Sequence, residues 1–517
     1  MFKKSKISRI IMMLMALLMG CHMAPVKAFA IESTDRGTIT INNIEGMVYV
    51  SAYRLMDINY DYGVNQPKNP MYMWVDEVAE WMNDNYPEFI DKDNHNEVKE
   101  VFSKAAQAKV SELYDKLAVA IKDGTVVIEA VELEAEEDEE TVTINNLTMG
   151  NYFIIIEGGL KVYRPLSANV VPEWVDNEWK MSSPVISAKA SSPSITKEIA
   201  GGLKEDNADI GDKVSFELVA VIPSYPEHAK AKKFVVSDKL SEGLTLVDNS
   251  LKIYGVNSGK SNVLIESGFT KSRERSVNAN DLYNPEDKIV SFALDFDYST
   301  ISEYESLKIT YDALLNEKAV VGGIGNGNVA LLDYSNNPYA ADTYSTDGDE
   351  TTVYTYGMKI SKVDEDTNEG LAGAEFTLSK DGQNLFFVGA NGVYHVAAAG
   401  EEGNSTVVVD GNGQLTFNGL DAGIYSLTET KAPEGYVKLQ NSVEILVEDA
   451  DVNGKVESDG KELSDGYVPV TVKNDKGFSL PVTGGMGTTL FNVAGIVLMG
   501  SGLLLIVAYF RKRKNYR

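Results

Sequence analysis

The sequence has almost no cysteine and very little histidine. Cys21 is the only cysteine among 517 residues, so a secreted form of the chain has no disulfide to stabilise it. The histidines lack the spacing of a metal site or a catalytic triad; they are His22, His95, His228 and His395. There is also no phosphate-binding loop or dinucleotide fingerprint. We therefore expect no metal, no cofactor and no conventional enzyme.

Positive charge is scarce as well. The chain carries 47 basic and 76 acidic side chains, a formal net charge of -29. Without residues 1–30 and 484–517, which hold ten basic and no acidic side chains, the charge is about -39. A surface this acidic repels nucleic acid and anionic membranes, so neither is an expected partner.

The N-terminus has the pattern of an export signal. Basic residues within 3–9 precede an apolar stretch at 10–19, and the small residues at 28–30 suit a signal peptidase. We predict that 1–30 is a signal peptide. A loose lipobox ending at Cys21 leaves open the alternative of a lipidated N-terminus.

The C-terminal segment, 480–517, has three parts in a fixed order. An uncharged apolar run at 490–510 is long enough to cross a bilayer as a helix, and the basic residues 511–514 follow it. Before the run stands a pentapeptide: Leu480, Pro481, Val482, Thr483 and Gly484. This order resembles the L-P-x-T-G cell-wall sorting signal of Gram-positive surface proteins. The resemblance implies sortase cleavage after Thr483, which then becomes the covalent end of the mature protein.

Between the two signals the sequence favours β-structure. Alternating apolar runs separated by Gly, Asn and Asp turns predict strands; they lie at 214–221, 307–311, 353–360 and 468–472. We predict a mainly-β chain of tandem Ig-like, collagen-adhesin-type β-sandwiches. The predicted domains are 31–188, 190–345 and 352–476, and the first has a helical insertion with apolar spacing at 75–82 and 98–121.

The third domain carries the most specific internal motif. Residues 425–436, Y-S-L-T-E-T-K-A-P-E-G-Y, resemble the E-box of the collagen-adhesin B-type (SpaA-like) domains of Gram-positive pilins. That family forms a spontaneous Lys–Asn isopeptide bond, and the resemblance gives Glu429 the role of assisting acid. By position in the first and last strands, Lys359 is the predicted nucleophile and Asn474 the electrophile, with Lys362 as the fallback.

A buried lysine suits this chemistry. An ammonium cannot attack a carbonyl, but burial among apolar side chains disfavours the charge and leaves free amine. A buried carboxyl stays protonated, so it can stabilise an oxyanion and help ammonia leave. Because a strand has a period of two, Lys359 and Lys362 point to opposite faces, and only one can face the core.

The second domain has no E-box. Its residues 234–244 resemble the D-x-L-x-x-G-L stretch of the collagen-adhesin A-type fold, in which an Asp assists the bond. We predict Lys197 as nucleophile, Asp238 as assisting acid and Asn336 as electrophile, with Asn337 as the alternate.

Polymerisation of such pilins also needs an acceptor lysine between the first two domains. Backbone pilins carry it in a W-x-x-x-V-x-V-Y-P-K type motif. Here Trp179 is followed by 184–189, in which Ser187-Ala188 replaces Tyr-Pro, so the motif is degenerate. Lys189 is the predicted acceptor and Lys180 the next candidate.

The chain is thus identified by resemblance as the major shaft subunit of a sortase-assembled, cell-wall-anchored pilus that supports adhesion. The implied partners are pilus-type and housekeeping sortases, other copies of itself, ancillary pilins, peptidoglycan and a host surface or matrix. A monomeric wall-anchored adhesin, or a basal or ancillary pilin, is the alternative, because it needs only Thr483.

Overall fold

The computed structural model describes residues 31–477 and 487–514, apart from 33, 65, 137, 176–177, 276–287, 341–342 and 399. The chain divides into two compact units. Unit one runs to Thr355 and includes Ala450–Gly454, and unit two consists of Tyr356–Asp449 and Lys455–Arg517. Strands predominate in both, and helices cluster near the start of unit one, which confirms the predicted mainly-β fold with an N-terminal helical insertion.

The first part of unit one contains most of the helices. Its strands are β1 (Gly37–Asn42), β2 (Val48–Asp61), β3 (Gln66–Trp74), β4 (Ile90–Asp91), β5 (Glu97–Val98), β6 (Ala130–Ala135), β7 (Thr141–Leu147), β8 (Gly150–Gly158), β9 (Val162–Tyr163), β10 (Leu166–Val170), β11 (Pro172–Val175), β12 (Glu178–Met181), β13 (Val185–Ser187) and β14 (Ala190–Ser191). Its helices are α1 (Asp76–Asn85), α2 (Glu100–Ser103) and α3 (Gln107–Lys122). The larger sheet has the order β10-β8-β2-β3-β5-β4, with β6 also paired to β2, and β1 pairs with β7 and β13 in a smaller sheet.

Strand β8 is buried on both faces. Phe153 and Ile155 join an apolar cluster with residues of α1 and α3. Ile154 and Ile156 point the other way, into a cluster with Ile39 and other residues of the smaller sheet. A strand covered on both sides is expected to be apolar at every position, as β8 largely is. The helical insertion therefore covers the outer face of the larger sheet.

The second part of unit one is a sandwich of two sheets. Its elements are β15 (Ser194–Ile199), β16 (Glu205–Asn207), β17 (Lys213–Val221), β18 (Phe234–Leu240), β19 (Leu244–Leu246), β20 (Lys252–Val256), β21 (Val263–Leu264), β22 (Phe269–Glu274), β23 (Ile289–Phe296), α4 (Tyr298–Ile301), β24 (Ser306–Leu315), β25 (Asn326–Tyr334) and β26 (Ser345–Tyr354). One sheet has the order β15-β17-β24-β20-β21, with β19 on β24, and the other has the order β16-β26-β25-β18-β23-β22. The strands predicted at 214–221 and 307–311 are β17 and β24, whose residues alternate between buried and less buried.

One loop of this sandwich contributes to the first part's core. Tyr339, which follows β25, is 2% exposed and belongs to the cluster of α1, α3 and β8. Its hydroxyl donates to Asp115 Oδ1 at 2.9 Å, and the Tyr334 hydroxyl donates to the Leu160 carbonyl at 2.7 Å. The predicted domains 31–188 and 190–345 are therefore packed into one unit.

Unit two is also built from two main sheets. Its elements are β27 (Tyr356–Asp364), β28 (Glu375–Lys380), β29 (Gln383–Asn384), β30 (Phe387–Ala390), β31 (Val393–Val396), β32 (Val407–Val408), β33 (Gln414–Leu420), β34 (Gly423–Lys431), β35 (Val443–Val447), β36 (Val456–Ser458), β37 (Lys461–Leu463), β38 (Tyr467–Asn474) and α5 (Gly487–Lys514). The sheets have the orders β30-β31-β33-β27-β38 and β29-β28-β34-β35, and β32 pairs with β28. The first and last strands, β27 and β38, lie side by side in parallel.

The strand predicted at 353–360 is two strands. β26 ends at Tyr354 in unit one and β27 begins at Tyr356 in unit two, with Thr355 between them. β26 also extends the second sandwich past the predicted boundary at 345. No Gly, Pro, Asn or Asp marks the change at Thr355, so turn chemistry could not reveal it.

The last helix, α5, contains the apolar run predicted to cross a membrane. Its described side chains are mostly exposed, including Phe491 and Leu498. Within the residues that the structure describes, no helix has both the length and the hydropathy of a membrane span. A span at 490–510 stays a prediction, and the signal peptide at 1–30 and the pentapeptide at 480–484 lie outside the described residues.

Candidate functional site

Unit two contains a buried triad of Lys362, Glu429 and Asn474. These residues are 0%, 1% and 1% exposed, respectively. The Lys362 Nζ atom lies 4.0 Å from Glu429 Oε1 and donates to the Val472 carbonyl at 3.2 Å. Asn474 Nδ2 donates to both Glu429 oxygens, at 2.9 and 3.1 Å. An amine, a carboxyl and a carboxamide therefore meet in the core.

Strand register explains how the triad forms. Met358 and Ile360 are fully buried, and Lys362 is the next residue on the same face of β27 because side chains alternate with a period of two. β27 and β38 pair in parallel with Asp364 opposite Asn474, which brings Asn474 next to the inward face of β27. Glu429 comes from β34 in the other sheet, where the Leu439 amide donates to its Oε2 at 2.7 Å.

Burial changes the ionisation of this site. Desolvation lowers the pKa of Lys362 to about 8, although the nearby Glu429 opposes the shift. About a tenth of the amine is then uncharged at pH 7 and able to attack a carbonyl carbon. Asn474 Oδ1 is buried without a hydrogen-bond partner among the described residues. A protonated acid could therefore donate to this oxygen and stabilise negative charge that develops on it.

Lys359, the predicted nucleophile, lies on the other face of β27. Its side chain is about half exposed. It forms an ion pair with Asp465 at 2.7 Å, and its Nζ lies 4.0 Å from the centre of the Tyr467 ring. The geometry contradicts the choice of Lys359, because a strand presents residues three apart to opposite faces. The fallback, Lys362, is the lysine that lies with Glu429 and Asn474.

The second sandwich contains a similar buried centre. Lys197 and Asp238 are fully buried and form a hydrogen-bonded ion pair. The Lys197 Nζ atom also donates to the Tyr311 hydroxyl at 2.6 Å. The same hydroxyl accepts a hydrogen bond from Asn328 Nδ2 at 2.8 Å. An amine, a carboxyl and a carboxamide thus meet here as well, with a phenol between the two nitrogen groups.

Four strands position this second centre. Lys197 is an inward residue of β15, between the buried Ile195 and Ile199. Asp238 lies on β18 and Asn328 on the neighbouring β25, which pair so that Leu240 is opposite Asn328. Tyr311 comes from β24.

Burial favours the uncharged forms of the pair in this centre. It lowers the pKa of Lys197 and raises the pKa of Asp238, while the opposite charge of each partner acts against the shift. A proton moved from amine to carboxyl would leave a neutral nucleophile and a neutral acid. Asp238 Oδ1 and Asn328 Oδ1 are buried and have no hydrogen-bond partner among the described residues.

The predicted electrophile, Asn336, lies outside this buried centre. It follows the end of β25, and its Nδ2 donates to Ser345 Oγ at 2.7 Å. The alternate, Asn337, donates to Glu157 and accepts from the Tyr339 amide. The structure therefore contradicts both choices, because Asn328, rather than Asn336 or Asn337, shares the Tyr311 hydroxyl with Lys197.

Neither Asn328 nor Tyr311 is among the residues predicted from the sequence. Both lie at inward positions of alternating strands, in N-G-N-V-A-L-L and L-K-I-T-Y-D-A. A polar residue at a position that the alternation assigns to the core was the signal that could have revealed them.

The predicted acceptor, Lys189, is exposed just after β13. It lies at a cavity of about 520 Å³ that Arg164, Asp115 and Gln107 also line. Its carbonyl accepts from the Arg164 amide at 2.8 Å, which fixes the backbone and leaves the amine at the surface. Lys180, the next candidate, is exposed on β12. Thr483, its predicted reaction partner, lies outside the described residues.

Two family models match the chain. Residues 357–462 match the SpaA model, a prealbumin-like fold domain. Residues 472–515 match the Gram-positive LPXTG cell wall anchor motif. The predicted SpaA-like domain and sorting signal are thereby confirmed.

Relatives of the chain include surface and fimbrial proteins. It is 29% identical over 324 residues to the trypsin-resistant surface T6 protein of Streptococcus pyogenes serotype M6, covering 57% of this chain and 55% of that protein. It is 35% identical over 107 residues to the fimbrial subunit type 1 of Actinomyces viscosus, covering 20% of this chain and 18% of that one. The chain thus spans about half the length of the first relative and less of the second.

The fold is shared with a solved backbone pilin. The T6 backbone pilin of Streptococcus pyogenes serotype M6, which has a modular three-domain structure, superposes with a TM-score of 0.58 at 21% identity. The match covers 87% of this chain and all of that structure. Together with the homology to the T6 protein, this confirms the resemblance to backbone pilins at the level of the fold.

Proposed function

We propose that this chain is the major shaft subunit of a sortase-polymerised, cell-wall-anchored pilus. In each junction the carboxyl group of Thr483 would be joined to Lys189 of the next copy. The observation that carries the proposal is an LPXTG anchor motif at 472–515 in a chain homologous to the T6 protein and folded like a backbone pilin. The anchor motif and these relatives indicate an extracellular, wall-anchored location.

The buried triad of unit two supports an internal cross-link between Lys362 and Asn474. The uncharged fraction of the Lys362 amine attacks Cγ of Asn474, and Glu429 takes a proton from Nζ as the new bond forms. The protonated Glu429 stabilises the charge that develops on Oδ1. The Nζ–Cγ bond forms, the Cγ–Nδ2 bond breaks, and one amine proton leaves with Nδ2 as ammonia. The product is an amide that links the first and last strands of unit two.

The centre in the second sandwich supports a second cross-link, between Lys197 and Asn328. Asp238 would assist it as Glu429 does in unit two. Each bond would close a long segment of chain, which restricts the unfolded state and stabilises the fold by a few kcal/mol, as a disulfide does. A chain without disulfides would obtain its resistance to pulling from these bonds.

Polymerisation would use groups on the surface. The exposed amine of Lys189 is accessible to a sortase that carries Thr483 of another copy. A helix at 490–510 would hold the chain in the membrane until cleavage. The implied partners are a pilus-type sortase for polymerisation, a housekeeping sortase for attachment to peptidoglycan, ancillary pilins and a host surface or matrix.

A blot of wall extracts boiled in SDS tests the proposal, comparing wild type with Lys189→Ala and Lys180→Ala. We expect a ladder of high-mass species that collapses to monomer in Lys189→Ala and persists in Lys180→Ala, the matched exposed lysine. A ladder lost only in Lys180→Ala would still indicate a shaft subunit, but it would identify Lys180 as the acceptor lysine.

A single wild-type band would instead favour a monomeric wall-anchored adhesin, or a basal or ancillary pilin. The observation in favour of that second candidate is Ser187-Ala188, which replaces the Tyr-Pro of the acceptor motif. Such a protein would need Thr483 but no receptive lysine.

A further inference from the structure

We propose that Tyr311 is a catalytic residue of the second sandwich, whose hydroxyl passes a proton from the attacking Lys197 to the departing amide nitrogen of Asn328. This role rests on the proposed cross-link between those two residues. It adds a second catalytic group beside the assisting Asp238.

The hydroxyl contacts both reacting nitrogen atoms. It accepts from Lys197 Nζ at 2.6 Å and from Asn328 Nδ2 at 2.8 Å. These are the atom that must lose a proton and the atom that must gain one before it leaves as ammonia. A group within hydrogen-bond distance of both can carry that proton without any side-chain movement.

Packing holds the phenol in this position. Tyr311 is 2% exposed. Its ring centre lies 5.4 Å from that of Phe216, with the rings stacked, and 5.2 Å from that of Phe292, with the rings edge to face. Burial also raises the pKa of the hydroxyl well above its usual value, so the group stays protonated and has a proton to give. A relay needs such a neutral hydroxyl, which can accept one proton while it donates another.

The exchange of protons balances. Lys197 first transfers a proton to Asp238, and its neutral amine attacks Cγ of Asn328, which turns Cγ tetrahedral and gives Nδ2 a free electron pair. The Tyr311 oxygen then takes a proton from Nζ while its own proton moves to Nδ2. The Cγ–Nδ2 bond breaks, ammonia leaves, and Tyr311 and the new amide are neutral. No oxidant, reductant or further reactant is needed.

The triad of unit two is arranged differently. There Lys362 Nζ donates to the Val472 carbonyl, which cannot relay a proton, and Asn474 Nδ2 donates directly to Glu429. In that centre one carboxyl contacts the departing nitrogen itself. In the second sandwich, Asn328 Nδ2 contacts the phenol, so the relay falls to Tyr311.

The test is the rate of cross-linking in Tyr311→Phe. The full chain, purified unfolded from inclusion bodies, is refolded by dilution, sampled over time and digested, and the peptide joining Lys197 to Asn328 is quantified by mass spectrometry. Tyr225→Phe is the matched control, because it removes another buried hydroxyl of the same sandwich, which donates to two carbonyl groups. The peptide joining Lys362 to Asn474 is an internal standard for folding of unit two.

We expect Tyr311→Phe to slow cross-linking of Lys197 by about 100-fold or more, the usual contribution of general acid-base catalysis. Tyr225→Phe should react at the wild-type rate. Equal rates in Tyr311→Phe and wild type, or equal slowing in both variants, would overturn the relay. A wild-type chain that never loses ammonia at Lys197 would overturn the cross-link itself.

A second substitution covers the case in which Tyr311→Phe does not fold, as near-UV circular dichroism would reveal. Incorporation of 3,5-difluorotyrosine at position 311 keeps the hydroxyl and its hydrogen bonds but makes it a stronger acid and a weaker base. A relay predicts a changed rate of cross-linking in the folded protein. A rate identical to that of wild type would reduce Tyr311 to a packing role.

Discussion

The two buried lysine centres assemble the same functional groups from different strands. In the second sandwich, Asp238 and Asn328 lie on neighbouring strands of one sheet, and Lys197 comes from the opposite sheet. The long side chain of Lys197 crosses the gap between the sheets to reach Asp238, so the short side chain of aspartate is sufficient. A bond between Lys197 and Asn328 would join the two sheets.

In unit two the roles of the sheets are exchanged. Lys362 and Asn474 lie on neighbouring parallel strands, and Glu429 comes from the other sheet. Sheets pack about 10 Å apart, so the acid must extend into the gap, which suits the longer glutamate. The bond here would join the first and last strands of one sheet. The comparison suggests that the choice of Asp or Glu follows from where the acid is placed.

Of the substitutions considered, removal of either acid should have the largest effect on cross-linking. We expect Glu429→Ala to abolish the cross-link of unit two and leave that of the second sandwich intact, and Asp238→Ala to do the reverse. Each variant should gain the mass of one ammonia by intact mass spectrometry, and its affected unit should lose a few kcal/mol of stability in thermal unfolding.

Glu444→Ala is the control, since that residue is exposed on β35 beside β34. It should keep the wild-type mass. Loss of both bonds in either acid variant would contradict the independence of the two centres.

Substitution of each lysine should show equally clearly which one forms the cross-link of unit two. Because Lys362 faces the core and Lys359 faces solvent, we expect Lys362→Met to lose the cross-link and Lys359→Met to retain it. Peptide mapping by tandem mass spectrometry measures this directly. A bond mapped to Lys359 would mean that β27 is shifted by three residues relative to the register described here, which would turn Lys359 inward.

The motifs predicted the acids but not all of their partners. Glu429 follows from the E-box and Asn474 from its place at the end of the last strand. Lys362 could have been chosen over Lys359, because Met358 and Ile360 already mark the even-numbered positions as inward. That alternation is local and visible in the sequence.

Other features depend on tertiary packing that no local pattern reveals. The sequence predicts Asn336 because it follows an apolar run, yet β25 stops at Tyr334 and Asn328 lies near the start of that strand. The insertion of Tyr339 into the first part's core depends on a contact with Asp115, a residue distant in the chain. The same packing merges two predicted domains into one compact unit.

The rate of cross-linking should also depend differently on pH in the two centres. This effect is smaller than the complete loss of a cross-link. In unit two the pKa of Lys362 is about 8, so the fraction of neutral amine, and with it the rate, should fall about tenfold per pH unit below that value. In the second sandwich burial favours transfer of the proton from Lys197 to Asp238, so the rate should change little with pH. Refolding at a series of pH values, with both cross-linked peptides measured in the same sample, makes each centre the control for the other. Parallel profiles would show that a common step, such as folding, limits both rates.

The smallest effect should come from the lysine that faces solvent. Lys359 and Asp465 form an ion pair whose side chains are about half exposed, and Lys359 lowers the pKa of Asp465. Exposed pairs contribute about 1 kcal/mol or less, because water screens the charges and two flexible side chains must be ordered. A double-mutant cycle of Lys359→Met and Asp465→Asn should therefore give a small coupling free energy that disappears at high salt. It should also disappear as pH falls and Asp465 is protonated, since a carboxyl with a lowered folded-state pKa stabilises the fold only while it is ionised. A coupling of several kcal/mol would place this pair in a much drier environment than its exposure indicates.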